Sequence, residues 1–236
     1  LASAAGIAGM SLAGCGSNQE TKGAGDTPTK VVVAMSTSSE PAAGFDPCIA
    51  WGCGEHVHEP LIQSTLITTD INLEFVNDLA TEYSCSDDGL TWTFKIRDDV
   101  KFTDGEPLTA KDVAFTINTI NESKKSQADL SSVKKAVAVD DTTVEFHMSK
   151  PNNTLLYTLA VVGIVPEHAY DNNYGAAPIG SGRYKMVQWD KGQQVIFEAN
   201  PDYYGEPVKM QQLVVVFMDE DAALAGCQAG EIDIAY

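Results

Sequence analysis

The side chains that could do chemistry gather in two stretches. The first runs from Phe45 to Glu59 and holds Cys48, Cys53, Glu55, His56, His58 and Glu59. Thiol, imidazole and carboxylate are the donors of a transition-metal site, and imidazole suits Ni, Cu and Zn. The spacing is not the His-Glu-x-x-His of a zinc protease. His56 and His58 are two residues apart, so on a helix they point away from each other. They share a metal only if that stretch is extended, and they stand as the metal candidates on that condition. Cys48 and Cys53 lie five residues apart in a Pro/Gly-rich loop, close enough to bridge. A disulfide Cys48–Cys53 is the expectation, and bridged sulfurs do not ligate as thiolates. Phe45, Asp46 and Trp51 share this loop. Trp51 could stack on a ligand or pack on the body of the fold, and Asp46 could meet a positive group.

The second stretch is Gly180-Ser181-Gly182-Arg183. It lacks the lysine and the strand–loop–helix context of a phosphate cradle. A turn whose backbone lines a ligand cleft fits better, with Ser181 and Arg183 as candidate contacts. Arg183 could pair with a ligand carboxylate, or form the weak surface ion pair expected on an acidic chain. No Ser/His/Asp set and no cofactor fingerprint is recognisable, so neither catalytic residues nor a cofactor are expected.

The surrounding composition narrows the partners. Lys and Arg total 15 against 33 Asp and Glu, a formal charge of −18 in 236 residues. That argues against nucleic acid, which needs clustered cations. Hydrophobic residues make up 44%, enough for a packed fold.

The elements that must position these residues follow from periodicity. Val31 to Met35 is a short apolar run that reads as a buried strand opening into the long loop. Residues 56 to 66 are predicted helical. Asp88-Gly89 is a hairpin-turn dipeptide. After it Leu90, Trp92, Phe94 and Ile96 alternate with polar residues, a strand with one face on a core. Thr109 to Asp112 resembles a capping box, and Val113, Ile117 and Ile120 follow at helical spacing. A second hairpin spans Val137 to Met148, and residues 154 to 162 read as a short apolar helix. Strands are predicted around 183–189, 193–199 and 213–218. A helix over 219–229 ends at Gly230, and a further strand starts at Glu231. Cys85 and Cys227 are expected as buried small hydrophobes. The fold class is α/β with α+β character.

Residues 1–14 carry no charge and are rich in Ala, Gly, Ser, Leu, Ile and Met. They match the apolar core of a secretory signal peptide without its basic start. Leu12-Ala13-Gly14-Cys15 resembles the lipobox of bacterial lipoproteins, which implies a diacylglycerol thioether on Cys15. Residues 15–29 then form a lipidated, flexible tether.

Asp88-Gly89-Leu90-Thr91-Trp92-Thr93-Phe94-Lys95-Ile96-Arg97-Asp98-Asp99-Val100-Lys101-Phe102 and the following Asp104 to Val113 closely resemble a hallmark segment of family-5 extracellular solute-binding proteins. His58-Glu59-Pro60-Leu61, Pro178 to Tyr184, Asn200 to Gly205 and Ala229 to Asp233 resemble further motifs of that family. The departures are His58 for a Tyr, and Ser181 and Arg183 in the glycine turn. The resemblance implies a periplasmic-binding-protein-like type II lobe, with its base at 30–65 and 174–236 and a β-rich subdomain inserted at 66–173. A second lobe is expected after Tyr236.

It also implies capture of small peptides outside the cell and delivery to an ABC permease, by a monomer held to the membrane through its lipid. Nickel or a nickel chelate is the alternative ligand. The Trp92 to Pro107 segment is especially like the nickel branch, but the arginine that nickel binders can place before Ile164-Val165-Pro166 is not there. A surface hydrolase or a ligand-sensing receptor is the alternative of another class.

Overall fold

The structure, a computed structural model, describes residues 29–49, 61–123, 125, 126 and 128–236. Cys15, Trp51, Cys53, His56 and His58 lie outside the described residues.

The apolar run at the start becomes β1 (Lys30–Met35). Its sheet partners come from far along the chain. It pairs in parallel with β10 (Gln212–Phe217) and β11 (Ile234–Ala235). A hairpin of β8 (Tyr184–Asp190) and β9 (Gln194–Ala199) completes a five-stranded sheet in the order β11-β1-β10-β9-β8. Valines and leucine dominate β10, as expected of a strand flanked on both sides. Helix α3 (Glu220–Ala229) follows β10. Asp219 caps it by accepting from the Ala222 N–H at 2.8 Å, and Gly230 ends it in the left-handed region at φ 75°.

The middle of the chain builds its own sheet. Strands β4 (Ala80–Cys85), β5 (Thr91–Ile96), β6 (Val133–Ala138) and β7 (Thr143–Met148) pair antiparallel in the order β4-β5-β7-β6. A two-stranded ribbon of β2 (Ile67–Thr69) and β3 (Phe75–Asn77) stands beside it. The sequence pattern shows no sign of this ribbon, whose strands are three residues each and carry no full alternation.

Helix α1 (Ala110–Ser123) lays Val113, Ile117 and Ile120 on the four-stranded sheet. Its start is the expected box, with Asp112 Oδ2 accepting from both the Thr109 N–H and hydroxyl. The short apolar helix α2 (Leu155–Leu159) buries Leu155 and Leu159. One apolar core joins this sheet, α1 and α2, with Phe94, Phe102, Phe146 and Ile117 at its centre and Cys48 and Tyr174 reaching in from outside. A second, smaller core of Ile62, Tyr184, Val195, Phe197 and Phe217 lies on the five-stranded sheet. Between the two, Tyr204 donates to Asp78 at 2.5 Å while the Arg97 guanidinium covers its ring at 4.4 Å.

Three expectations need correction. Residues 61–66 are not helical. The Leu61 and Ile62 carbonyls accept from the Tyr184 and Gly182 N–H groups across the fold, which an intrahelical ladder would not leave free. Cys48 is fully buried and packs on the larger core, and the pairing expected with Cys53 lies outside the described residues. Cys85 is exposed, since it ends β4, which is an edge strand with most of its residues outward. Leu90 is 37% exposed where Phe94 is fully covered. The apolar face of β5 therefore leaves the core toward its hairpin end.

Candidate ligand site at the carboxyl edge of the base sheet

Sheet register decides which loops meet. Met35 pairs with Phe217, so the carboxyl ends of β1 and β10 lie side by side. Val216 pairs with Gln194, and Gln194 with Asp190. The β8–β9 turn therefore stands at that same edge. In open α/β sheets ligands bind outside the carboxyl ends of the parallel strands. Here that edge holds the Ser36 loop with its 3-10 turn at Thr37–Ser39, Glu40, the Asp190–Gln193 turn, and Met218-Asp219 leading into α3.

Glu40 ties two of these loops together. Its Oε1 accepts from Trp189 Nε1–H and the Gly192 N–H, both at 2.8 Å, and Oε2 accepts from Gly192 at 3.0 Å. Trp189 meets the edge of Phe45 at 5.2 Å between ring centroids, and Phe45 meets Phe197 at 6.0 Å. The Lys191 ammonium sits 4.9 Å from the centre of the Trp189 ring. Half-buried aromatics beside charged groups at a sheet edge can stack on an apolar portion of a ligand and orient its polar ends.

Asp46 is placed differently. It is 3% exposed, and accepts from the Cys48 N–H at 2.8 Å and the Tyr170 hydroxyl at 2.9 Å. Next to it, Gln63 donates to the Phe45 carbonyl and to Tyr174, whose hydroxyl donates to the Ile179 carbonyl. This buried polar network fixes the loop that presents Phe45. Asp46 meets a tyrosine hydroxyl and a backbone amide, not an open cleft. Burial raises its carboxyl above the ordinary value of 3.8, outweighing the hydrogen bonds that lower it. Burial and the nearby Asp46 charge push the Cys48 thiol up as well, so it stays protonated and unreactive.

A raised acid favours the protonated native state. Between 3.8 and the higher native value the folded chain binds more protons than the unfolded chain. Stability therefore falls as pH rises through that window. Asp70, Asp88, Asp129 and Asp140 are lowered, chiefly by hydrogen bonds within their turns, and contribute the opposite slope. Asp46→Asn is expected to remove the falling component only. Subtracting the variant's unfolding free energy from that of the wild type across pH 3 to 7 (roughly one unit below to three above the unfolded value) checks this, and a flat difference would refute it.

Register also sets Arg183 apart from Trp189. Arg183 precedes Tyr184, which pairs with Ala199 at the opposite end of β8 from Trp189. Six steps of strand put about 20 Å between the two ends. There the Arg183 guanidinium lies 5.4 Å from the Tyr203 ring centre, and its carbonyl accepts from the Asn200 N–H. Ser181 is fully buried, and among the described residues its hydroxyl has no partner. Gly180-Ser181-Gly182 packs against Leu61 and Ile62. Ser181 nonetheless stays near the Phe45 loop, because Gln63 and Tyr174 link the Phe45 carbonyl to that of Ile179, two residues before it. Conversely, Glu40, Trp189 and Lys191 stand together at this edge, and the sequence pattern did not single them out. The available signal was a tryptophan directly before an Asp-Lys-Gly turn. Among the described residues no group of three or more His, Cys, Asp or Glu is placed to hold a metal ion, and no helix is long and apolar enough to cross a membrane.

Comparison with known proteins agrees with this architecture. The "Probable D,D-dipeptide-binding periplasmic protein DdpA" of Escherichia coli K12 is 34% identical over 223 residues, 87% of this chain and 43% of that protein. The oligopeptide-binding protein AppA of Bacillus subtilis, solved with a nonapeptide, superposes with a TM-score of 0.76 at 29% identity, covering 86% of this chain and 43% of AppA. NikZ of Campylobacter jejuni, solved with Ni(L-His), superposes with a TM-score of 0.79 at 28% identity, covering 89% of this chain and 43% of NikZ. The chain thus spans under half the length of these relatives. The family described as "Bacterial extracellular solute-binding proteins, family 5 Middle" matches residues 74–236. The chain belongs to family 5 of the bacterial extracellular solute-binding proteins.

Proposed function

We propose that this chain is a ligand-binding lobe of the substrate-capturing component of an ABC importer, and that its ligands are small peptides. The observation that carries this reading is family membership across residues 74–236, joined to an aromatic and charged cluster at the sheet edge where such ligands bind. Two of the relatives named above bind peptides by their own descriptions.

Residues 66–173 act as a subdomain inserted into a base of 30–65 and 174–236. The support is that each sheet has its own apolar core. Phe45 and Trp51 contribute to the ligand surface, and Asp46 holds the chain next to Phe45. Closure of this lobe against a second one traps the ligand, so affinity arises from contacts made when both engage. The protein works as a monomer without a cofactor and without catalysis, handing ligand to a membrane permease. Cys15 carries the lipid that keeps it at the outer face of the cell membrane.

Equilibrium binding of the full-length protein to di- to hexapeptides tests the main reading, with nickel(II)–L-histidine in parallel. Saturable peptide binding is the expected result. Binding of nickel–histidine alone would replace it by metal-chelate import, a second reading favoured by the likeness to NikZ. Hydrolysis of the peptides would replace it by an enzyme. Release of the protein from membranes on Cys15→Ala is expected if the anchor is correct.

A further inference from the structure

We propose that Lys191, held over the indole of Trp189, is the residue on this lobe that recognises a ligand carboxylate, and that Glu40 is the residue that positions Trp189. This deepens the ligand-binding reading above and rests on it.

Glu40 lies beside a lysine on a strongly acidic chain, yet its carboxylate is spent on neutral donors, the Trp189 Nε1–H and the Gly192 N–H. These bonds satisfy the single donor of the indole and fix the ring plane. The Gly192 bonds also fix the backbone directly after Lys191, in the turn that follows Trp189. Phe45 supports the ring at 5.2 Å, edge to face. The lysine is left over the ring, 4.9 Å from its centre.

A π face attracts an ammonium but accepts no strong hydrogen bond from it. Lys191 is exposed, and among the described residues no carboxylate lies within ion-pair reach of it. Other surface lysines share that property. Lys191 differs in its place, at the carboxyl edge of β1 and β10, and in being held by an anchored turn. A preorganised cation beside an aromatic surface suits a small solute with a free carboxylate and an adjacent apolar group. The carboxyl terminus of a peptide has that chemistry, and so do the carboxylates of an amino-acid metal chelate.

The test uses full-length protein and three probes: random tetrapeptides with a free carboxyl terminus, the same pool as carboxyl-terminal amides, and nickel(II)–L-histidine. Apparent Kd is read from ligand-dependent thermal shifts for wild type, Lys191→Ala, Lys191→Arg and Glu40→Gln. Lys191→Ala is expected to weaken binding of the free-acid pool about tenfold, as for loss of one charge-assisted hydrogen bond. Lys191→Arg should recover most of that. The amide pool should bind wild type about as weakly as the free acids bind Lys191→Ala, and should be indifferent to the substitution. If nickel–histidine is the probe that binds, the same loss and rescue assigns the carboxylate to the chelate. Glu40→Gln should shift tryptophan emission and weaken the same probe. Ligand-free melting temperatures of the Lys191 variants should match wild type, because the side chain is exposed. Unchanged affinity in Lys191→Ala for whichever probe the wild type binds overturns the inference and leaves the ligand-binding reading standing. No saturable binding of any probe to wild type overturns that reading, and the inference with it.

Discussion

Gly180→Ala is expected to destabilise the protein by about 3 kcal/mol or more, among the largest effects of any single-methyl addition in this chain. A Cβ at Gly180 would overlap the Ile62 carbonyl oxygen and lie 2.6 Å from the Ile62 carbonyl carbon. Both are backbone atoms, so no side-chain rotation relieves the clash. The neighbourhood is also pinned. Ile62 accepts from the Gly182 N–H at 2.8 Å, and the Gly180 carbonyl accepts from the Thr103 N–H at 2.9 Å. Moving Gly180 away therefore breaks the joint between the base and the middle segment.

Gly105→Ala is the matched control. Gly105 has φ +94°, and no atom lies within 4 Å of the place its new methyl would take, so the cost is backbone strain alone, about 1 kcal/mol. Chemical denaturation of both variants checks the pair. Equal losses would show that Gly180 is a turn glycine and not a close-approach site.

Phe94→Ala is expected to cost about 3–5 kcal/mol, the range for deleting a buried aromatic. Phe94 is fully buried on β5, a central strand of the four-stranded sheet. Its ring centroid lies 5.1 Å from Phe146, 5.6 Å from Tyr83 and 6.2 Å from Trp92. Truncation therefore removes apolar burial and three aromatic contacts, and leaves a cavity that neighbouring strands cannot close without shifting register. Leu90→Ala lies on the same strand face and is expected to cost less than about 1 kcal/mol, since Leu90 is 37% exposed. Hydrogen exchange of the β4–β7 amides reads both. Comparable loss of protection in the two variants would mean that alternation, not depth, governs this strand.

The β5 pair shows how far pattern carries. Strict alternation identified which face of β5 is apolar, because side chains on a strand alternate by geometry alone. It did not say that the face runs out of the core at Leu90, because depth depends on how far the partner elements extend. The hairpins, α1 with its Thr109–Asp112 box, and α3 with its Gly230 end were legible for the same local reason. The β2–β3 ribbon was not, since three residues per strand carry too little periodicity to stand out.

The site divides along the same line. Phe45 was legible as a loop residue after the first strand, where α/β sheets place their ligands. Its partner Trp189 is 144 positions away in numbering, and only the β8–β9–β10–β1 register brings the two within 5.2 Å. The same register sets Arg183 at the far end of β8 from Trp189, although the two are near each other in the sequence. Proximity along the chain was misleading there because an extended strand carries its ends apart by its full length. Cys48 makes a parallel point. Its burial against the larger core depends on residues far along the chain, which spacing does not show. The sequence by itself determined the family, the local elements and the apolar faces, all set by nearest-neighbour geometry and motif order. Tertiary structure alone decided which loops share an edge, which glycine is a close approach, and that Glu40 holds an indole under a lysine, because those depend on contacts between residues far apart in the chain.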